Sequence, residues 1–191
     1  MRQRLVVLIS GAGSNLASLL ENLPATQIPA DIVAVGSDTS SAGLHHASDR
    51  GIPTFVVPWE EFSSREEWGV ALGDALASHE PDLIILSGFM KLLPPDLVSR
   101  FSPHILNTHP AYLPEFPGAH AVRDALASEA TETGASVIVV DEGVDTGQIL
   151  AQRRVPVEPD DDEAALHARI KVVERELLLQ VLENVTTAIG K

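Results

Sequence analysis

The sequence predicts an α/β fold: a mostly parallel central sheet with helices on both faces and an antiparallel extension towards the C-terminal part. Three observations carry this reading. Leu5-Val-Val-Leu-Ile9 is a continuous apolar run closed by Ser10-Gly11, the pattern of a strand covered on both sides. Similar runs then alternate with helical stretches, which implies right-handed crossovers between parallel strands. Later, Val137–Val140 and Ile149–Val157 follow one another without a helix between them, and are expected to pair antiparallel.

Each element has its own local reason. Leu16–Leu23 sets Leu16, Leu19, Leu20 and Leu23 at helical spacing. Asp31–Val35 and Thr54–Val57 read as the second and third strands, with a helix over Gly43–Arg50 between them. Ser64 is placed to cap a helix reaching Ser78, with Arg65-Glu66-Glu67 in its first turn. Leu83–Leu86 is the fourth strand and Ile105–Thr108 a short fifth. Asp160–Glu163 heads a long final helix, where the dipole favours negative charge. Leu166, Ile170, Val173, Leu177 and Val181 form its apolar stripe. No repeat, low-complexity tract or linker interrupts this order. At about 150 residues per domain, residues 1–191 are expected to form a single domain.

Composition narrows the function. Thirteen basic against 27 acidic residues give a net charge of −14, which repels phosphate backbones and argues against nucleic-acid binding. The absence of cysteine removes disulfide frameworks, thiolate zinc sites and cysteine nucleophiles together. No apolar run approaches membrane-spanning or signal-core length, so no membrane partner and a cytoplasmic location are expected.

Three segments carry candidate chemistry. Gly11-Ala-Gly-Ser-Asn15 joins the first strand to the first helix, where small residues and free N–H groups suit a phosphate, and Ser14 or Asn15 add donors or cap the helix. Leu16 stands where a dinucleotide fingerprint needs its third glycine, and no Lys-Ser/Thr pair makes it a P-loop. In Leu106-Asn-Thr-His-Pro110, Asn107 and His109 are two apart on a strand and share a face, with Thr108 turned away. A carboxamide donor beside an imidazole suits acyl transfer at the carboxyl end of a strand. In Val140-Asp-Glu-Gly-Val-Asp-Thr-Gly147, Asp141, Glu142 and Asp145 are alternatives for orienting His109, and spacing does not choose among them. Each segment also has a plain structural reading, as a tight turn, a strand end and a solvated loop. His45-His46 reads as surface and His120 as the start of another helix, while Trp59 and Trp68 suit core packing. Neither HExxH nor Gly-x-Ser-x-Gly occurs.

Five motifs occur in order: Ser10-Gly-Ala-Gly-Ser-Asn-Leu16, Gly88-Phe-Met-Lys-Leu-Leu93, Leu106-Asn-Thr-His-Pro110, Leu113-Pro-Glu-Phe-Pro-Gly118 and Val144-Asp-Thr-Gly-Gln-Ile149. Together they closely resemble the folate-dependent phosphoribosylglycinamide formyltransferases of purine synthesis. The resemblance implies a Rossmann-like formyltransferase fold. It implies formyl transfer from 10-formyltetrahydrofolate, as co-substrate, to the amine of glycinamide ribonucleotide, with no metal. It implies Asn107 and His109 as catalytic residues and Asp145 as the acid that keeps the histidine protonated. Gly13, Ser14, Asn15 and Glu174 match ribonucleotide positions. Arg65, Met90, Lys91, Leu92, Leu93 and Asn107 match folate positions, those of 90–93 mainly through backbone groups, and His120 matches a supporting histidine. Ile138 stands where many family members carry a histidine, and Ala111-Tyr112 replaces a commoner Ser-Leu. The oligomer expected is a monomer or homodimer. Length is expected to disfavour the related methionyl-tRNA formyltransferases and formyltetrahydrofolate hydrolases. The rivals are a dinucleotide oxidoreductase using Gly11–Leu16 with Asp38 on a ribose, and a non-catalytic folate-binding module.

Overall fold

Apolar runs set the middle of the molecule. In the computed structural model, which describes residues 2–189, β1 (Gln3–Ile9) lies inside the sheet with Leu5 to Ile9 fully buried. Leu5, Val7 and Ile9 enter one core, and Val6 and Leu8 the other. At about 2 kcal/mol per fully buried aliphatic side chain, the five contribute on the order of 10 kcal/mol of transfer free energy, part of which an exposed face would forfeit.

From β1 the chain passes through α1 (Ser14–Asn22), β2 (Ala30–Ser37), α2 (His45–Ser48), β3 (Thr54–Val56), α3 (Arg65–Ala77) and β4 (Leu83–Leu86). It continues through α4 (Pro95–Phe101), β5 (Ile105–His109), α5 (Ala121–Ala127), β6 (Glu132–Val139), β7 (Ile149–Pro156) and α6 (Glu163–Ile189). The seven strands make one sheet in the order β3-β2-β1-β4-β5-β6-β7. The first five pair in parallel, and β6 and β7 add the expected antiparallel extension. One face is covered by α1 and α6, joined by Ala47 of α2 and Val122 of α5. The other is covered by α3 and α4 through Trp68, Leu72, Leu76, Leu97 and Val98.

The order reverses between β1 and β4: the chain leaves β1 towards β2, and leaves β4 towards β5. Open α/β sheets place their ligands in the crevice at such a point, outside the carboxyl ends of the strands. Met90 N–H donates to Ser10 Oγ at 2.9 Å and ties the loops after β4 and β1 together.

Three local features differ from expectation. The cap of α1 is Gly13, at φ 66° and without a side-chain cap bond, so Ser14 is the first helical residue and not the cap. Only a residue without a Cβ adopts that conformation at little cost, and a Cβ there would also sit 3.1 Å from the Gly43 Cα. The helix over Gly43–Arg50 divides into a 3₁₀ turn (Ala42–Leu44) and the four-residue α2. Finally, α4 was not anticipated, and β6 starts at Glu132, well before Val137.

Candidate active site

The carboxyl ends of β1, β4 and β5, the loop after β6 and one side of α6 enclose a pocket of about 460 Å³. Its floor includes Asn107 and His109, brought to one side by the strand alternation of β5. His109 is 4% exposed. Its Nδ1 lies 3.4 Å from Asp145 Oδ2 and its Nε2 2.9 Å from the Phe116 carbonyl. The Asn107 amide donates to Asp145 Oδ1 at 3.5 Å, a long contact that leaves much of its donor capacity free. Asp145 Oδ2 also accepts the Gly118 N–H at 2.7 Å. One carboxylate thus joins the amide, the imidazole and the proline loop.

The loop chooses among its three acids. Asp141 is used locally, accepting from Thr146 Oγ1 at 2.9 Å and Gly143 N–H at 3.1 Å. Glu142 does not line the pocket. Asp145 reaches the histidine because its backbone is left-handed, at φ 53°, and Phe116 on the other side of the ring is similar at φ 52°. Each such residue costs about 1–2 kcal/mol, so tertiary contacts hold the ring's surroundings in place.

The cradle Gly11–Asn15 lines one wall at the start of α1. His46 Nε2 meets the Ala12 carbonyl at 3.0 Å and Gly43 N–H donates to the Gly11 carbonyl at 3.2 Å, so the turn is braced from behind. Asn15 Nδ2 donates to Glu174 Oε2 at 3.2 Å, and Arg175 Nε donates to Asn15 Oδ1 at 2.9 Å. Glu174 is 4% exposed, and burial raises its carboxyl above the usual range despite Asn15, Lys171, Arg175 and Thr108, which favour the ion.

The opposite wall is Met90 to Leu93, with Met90 and Leu92 exposed. An aromatic group supports it: Phe89 stacks on Trp68 at 6.2 Å, Trp59 meets Trp68 edge-on at 5.3 Å, and Lys91 Nζ lies 5.6 Å from the Trp59 ring. Arg65 does not line the pocket. Its guanidinium instead donates to the Leu92 carbonyl at 3.0 Å and to the Leu93 carbonyl, from behind the segment. His120, at the N-cap of α5, lines the rim and is exposed. Asp38 is buried and lies outside the pocket lining, away from any place for a dinucleotide ribose there.

The residues unforeseen in the sequence are on α6. Glu163, His167 and Lys171 line the pocket together with Glu174. They recur at helical spacing beside the apolar stripe, and that polar stripe was the available signal. Burial and the charge of Lys171 lower the His167 pKa below the ordinary histidine value. Ile138, opposite Asn107 in the β5–β6 register, closes the pocket floor with an apolar side chain. Among the described residues no group of three or more His, Asp or Glu is placed to hold a metal ion, and no helix is long and apolar enough to cross a membrane.

Comparison with known proteins defines the class first. The family model for formyl transferase matches residues 3–182, and with it this sheet and pocket are those of a formyltransferase with a Rossmann-like fold. A phosphoribosylglycinamide formyltransferase from Mycobacterium tuberculosis is 50% identical over 184 residues, covering 96% of this chain and 85% of its own length. The crystal structure of glycinamide ribonucleotide transformylase 1 from Symbiobacterium toebii superposes with a TM-score of 0.94 at 33% identity, covering 98% of this chain and 89% of that one. The phosphoribosylglycinamide formyltransferase from Brucella melitensis gives 0.90 at 39% identity, covering 97% and 96%. The chain belongs to the phosphoribosylglycinamide formyltransferase family.

Proposed function

We propose that the enzyme transfers the formyl group of 10-formyltetrahydrofolate to the amine of glycinamide ribonucleotide, a step of purine biosynthesis. One observation carries the chemistry: Asn107, His109 and Asp145 meet within 3.5 Å on the floor of a pocket large enough for both reacting ends. In this reading the ribonucleotide phosphate takes the N–H groups of Gly13, Ser14 and Asn15 at the start of α1, where the helix dipole favours an anion. Glu174 accepts from its ribose hydroxyls, and Lys171 adds a positive charge to that wall. The pterin lies against Met90 to Leu93, whose backbone Arg65 holds in shape. His120 supports the rim.

The amine nitrogen attacks the formyl carbon, and the carbonyl oxygen becomes an oxyanion. Asn107 Nδ2–H and a His109 N–H donate to it. The neutral Phe116 carbonyl that meets Nε2 is a weaker acceptor than an oxyanion and yields to it. Asp145, 3.4 Å from Nδ1, orients the ring. The adduct collapses by breaking the C–N10 bond. The amine gives up one proton and N10 gains one, with His109 in reach of both. An oxyanion donor is worth roughly 3–4 kcal/mol and a positioned acid–base group about 10²–10⁴-fold. Alignment of two substrates supplies the rest. Asn107 and His109 act on the formyl group directly, so no metal enters the proposed step.

The test is to mix purified protein with glycinamide ribonucleotide and 10-formyltetrahydrofolate, or a 10-formyl dideaza analogue, and follow release of the deformylated pterin by absorbance. Turnover that requires both substrates is expected. Binding of the folate without turnover, or stabilisation by NAD in its place, contradicts the reading.

A further inference from the structure

Thr108 stands between Asn107 and His109 on β5, and its side chain turns towards α6. It is 7% exposed, and its Oγ1 has no hydrogen-bond partner among the described residues. A buried hydroxyl left in that state costs about 1–3 kcal/mol. The place it faces is a small cavity of about 10 Å³ lined by Thr108, Asn15, Glu174 and Arg175 together with Ser18 and three leucines. That volume is about one water. Glu174 lines this cavity and the large pocket both, as do Asn15 and Thr108. Among the described residues its one direct hydrogen bond is from Asn15, on Oε2, so acceptor sites on the carboxylate stay open. Thr108 and Glu174 do not meet in hydrogen-bond geometry, but the hydroxyl lies close enough to favour the ionised carboxyl, the least of the groups that do so. The cavity has room for a single water that accepts from the hydroxyl and donates to the carboxylate.

We infer that Thr108 is a positioning residue for Glu174, its hydroxyl donating through one water in the shared cavity to hold the carboxylate ready to accept from the ribonucleotide's hydroxyl groups. The inference rests on the ribonucleotide role proposed for Glu174. The charged groups that act on that carboxylate are Lys171 and Arg175 on α6 itself. The other titratable groups that share the large pocket with it are Glu163 and His167 on α6, His109 on β5, His120 at the start of α5, Asp141 and Asp145 in the loop after β6, and Lys91 after β4; α1 contributes only neutral residues. None of these changes when the threonine is replaced, so a change in behaviour on replacement belongs to the hydroxyl.

Thr108→Val removes the hydroxyl at nearly constant shape. The melting temperature is expected to fall by no more than about 2–4 °C, the effect of one lost hydrogen bond worth about 1 kcal/mol. The KM for glycinamide ribonucleotide rises about tenfold, as expected for a lost hydrogen bond to a charged group. The kcat and the KM for the folate stay within about twofold, and Thr108→Ser restores the wild-type KM. In a Glu174→Gln background the valine adds nothing further, as required of two groups acting in series. A second readout needs no ribonucleotide. The infrared carboxyl band of Glu174, isolated by difference against Glu174→Gln, titrates at higher pH in Thr108→Val than in the wild type. A valine variant with unchanged ribonucleotide KM and unchanged carboxyl titration overturns the inference while leaving the reading of Glu174 intact. If Glu174→Gln itself leaves the ribonucleotide KM unaltered, the reading of Glu174 fails with the binding half of the inference. The infrared titration then decides separately whether Thr108 acts on the carboxylate.

Discussion

Glu174 sets a conflict between stability and use in one side chain. It is nearly fully buried, and burial lifts its carboxyl above the ordinary range more than Asn15, Lys171 and Arg175 lower it. A raised folded-state value means the folded protein holds a proton that the unfolded chain has released. The stability this provides is complete below the ordinary carboxyl range and is lost as pH rises through the elevated value. Glu174→Gln, which cannot ionise, is therefore expected to melt higher than the wild type at pH 8, with the difference closing towards pH 4. Equal melting curves at pH 8 would remove the argument. The other site residues were legible to different degrees. Asn107 and His109 were readable because strand alternation is local. Asp145 was not separable from Asp141 and Glu142 by spacing, because a left-handed backbone and the use of Asp141 by Thr146 and Gly143 make that choice. His167 and Lys171 were missed because the side of α6 that meets the pocket depends on how the helix docks.

The elements around the site work as supports. Ser64 Oγ accepts the Glu67 N–H at 3.1 Å, and Glu67 Oε2 returns to Ser63, which fixes the first turn of α3 as its sequence suggested. Arg65 follows directly and clamps the carbonyls of residues 92 and 93. Ser64→Ala is expected to cost about 1 kcal/mol, or roughly 2–4 °C in melting temperature. It should also raise the folate KM more than the ribonucleotide KM, since the cap and the clamp are adjacent. A uniform effect on both would show that the two are not linked. Two elements escaped sequence reading for physical reasons. The seven-residue α4 starts after Pro94 without a side-chain cap and buries only Leu97 and Val98, too little to make a periodic signal. The front of β6 is Glu-Thr-Gly-Ala-Ser, poor in strand formers, and pairing with β7 makes it a strand.

For the whole molecule, the alternation of strands and helices was legible because burial on both faces demands continuous apolar runs. Strand order was not, because which parallel neighbours meet depends on crossovers that leave no local mark. Charge acts at this scale too. The chain carries a net −14, and the pocket lining holds Asp141, Asp145, Glu163 and Glu174 against Lys91 and Lys171. Both proposed substrates are anions, so the long-range field opposes their approach while the α1 cradle favours the phosphate at contact. Going from 0.01 to 0.1 M salt shortens the screening length from about 30 to about 10 Å. The kcat/KM for the ribonucleotide is expected to rise about twofold or more over that range. A steady fall would mean that a local cationic path outweighs the net field.

The proposed chemistry stands on Asn107 and His109 acting in the transition state and not on ground-state binding. Single-turnover rates and folate dissociation constants for Asn107→Ala and His109→Ala test this most directly. Each variant is expected to lose about 10²–10³-fold in the transfer rate while folate affinity stays within about threefold. A transfer rate near wild type, with the deficit confined to binding, would contradict the account.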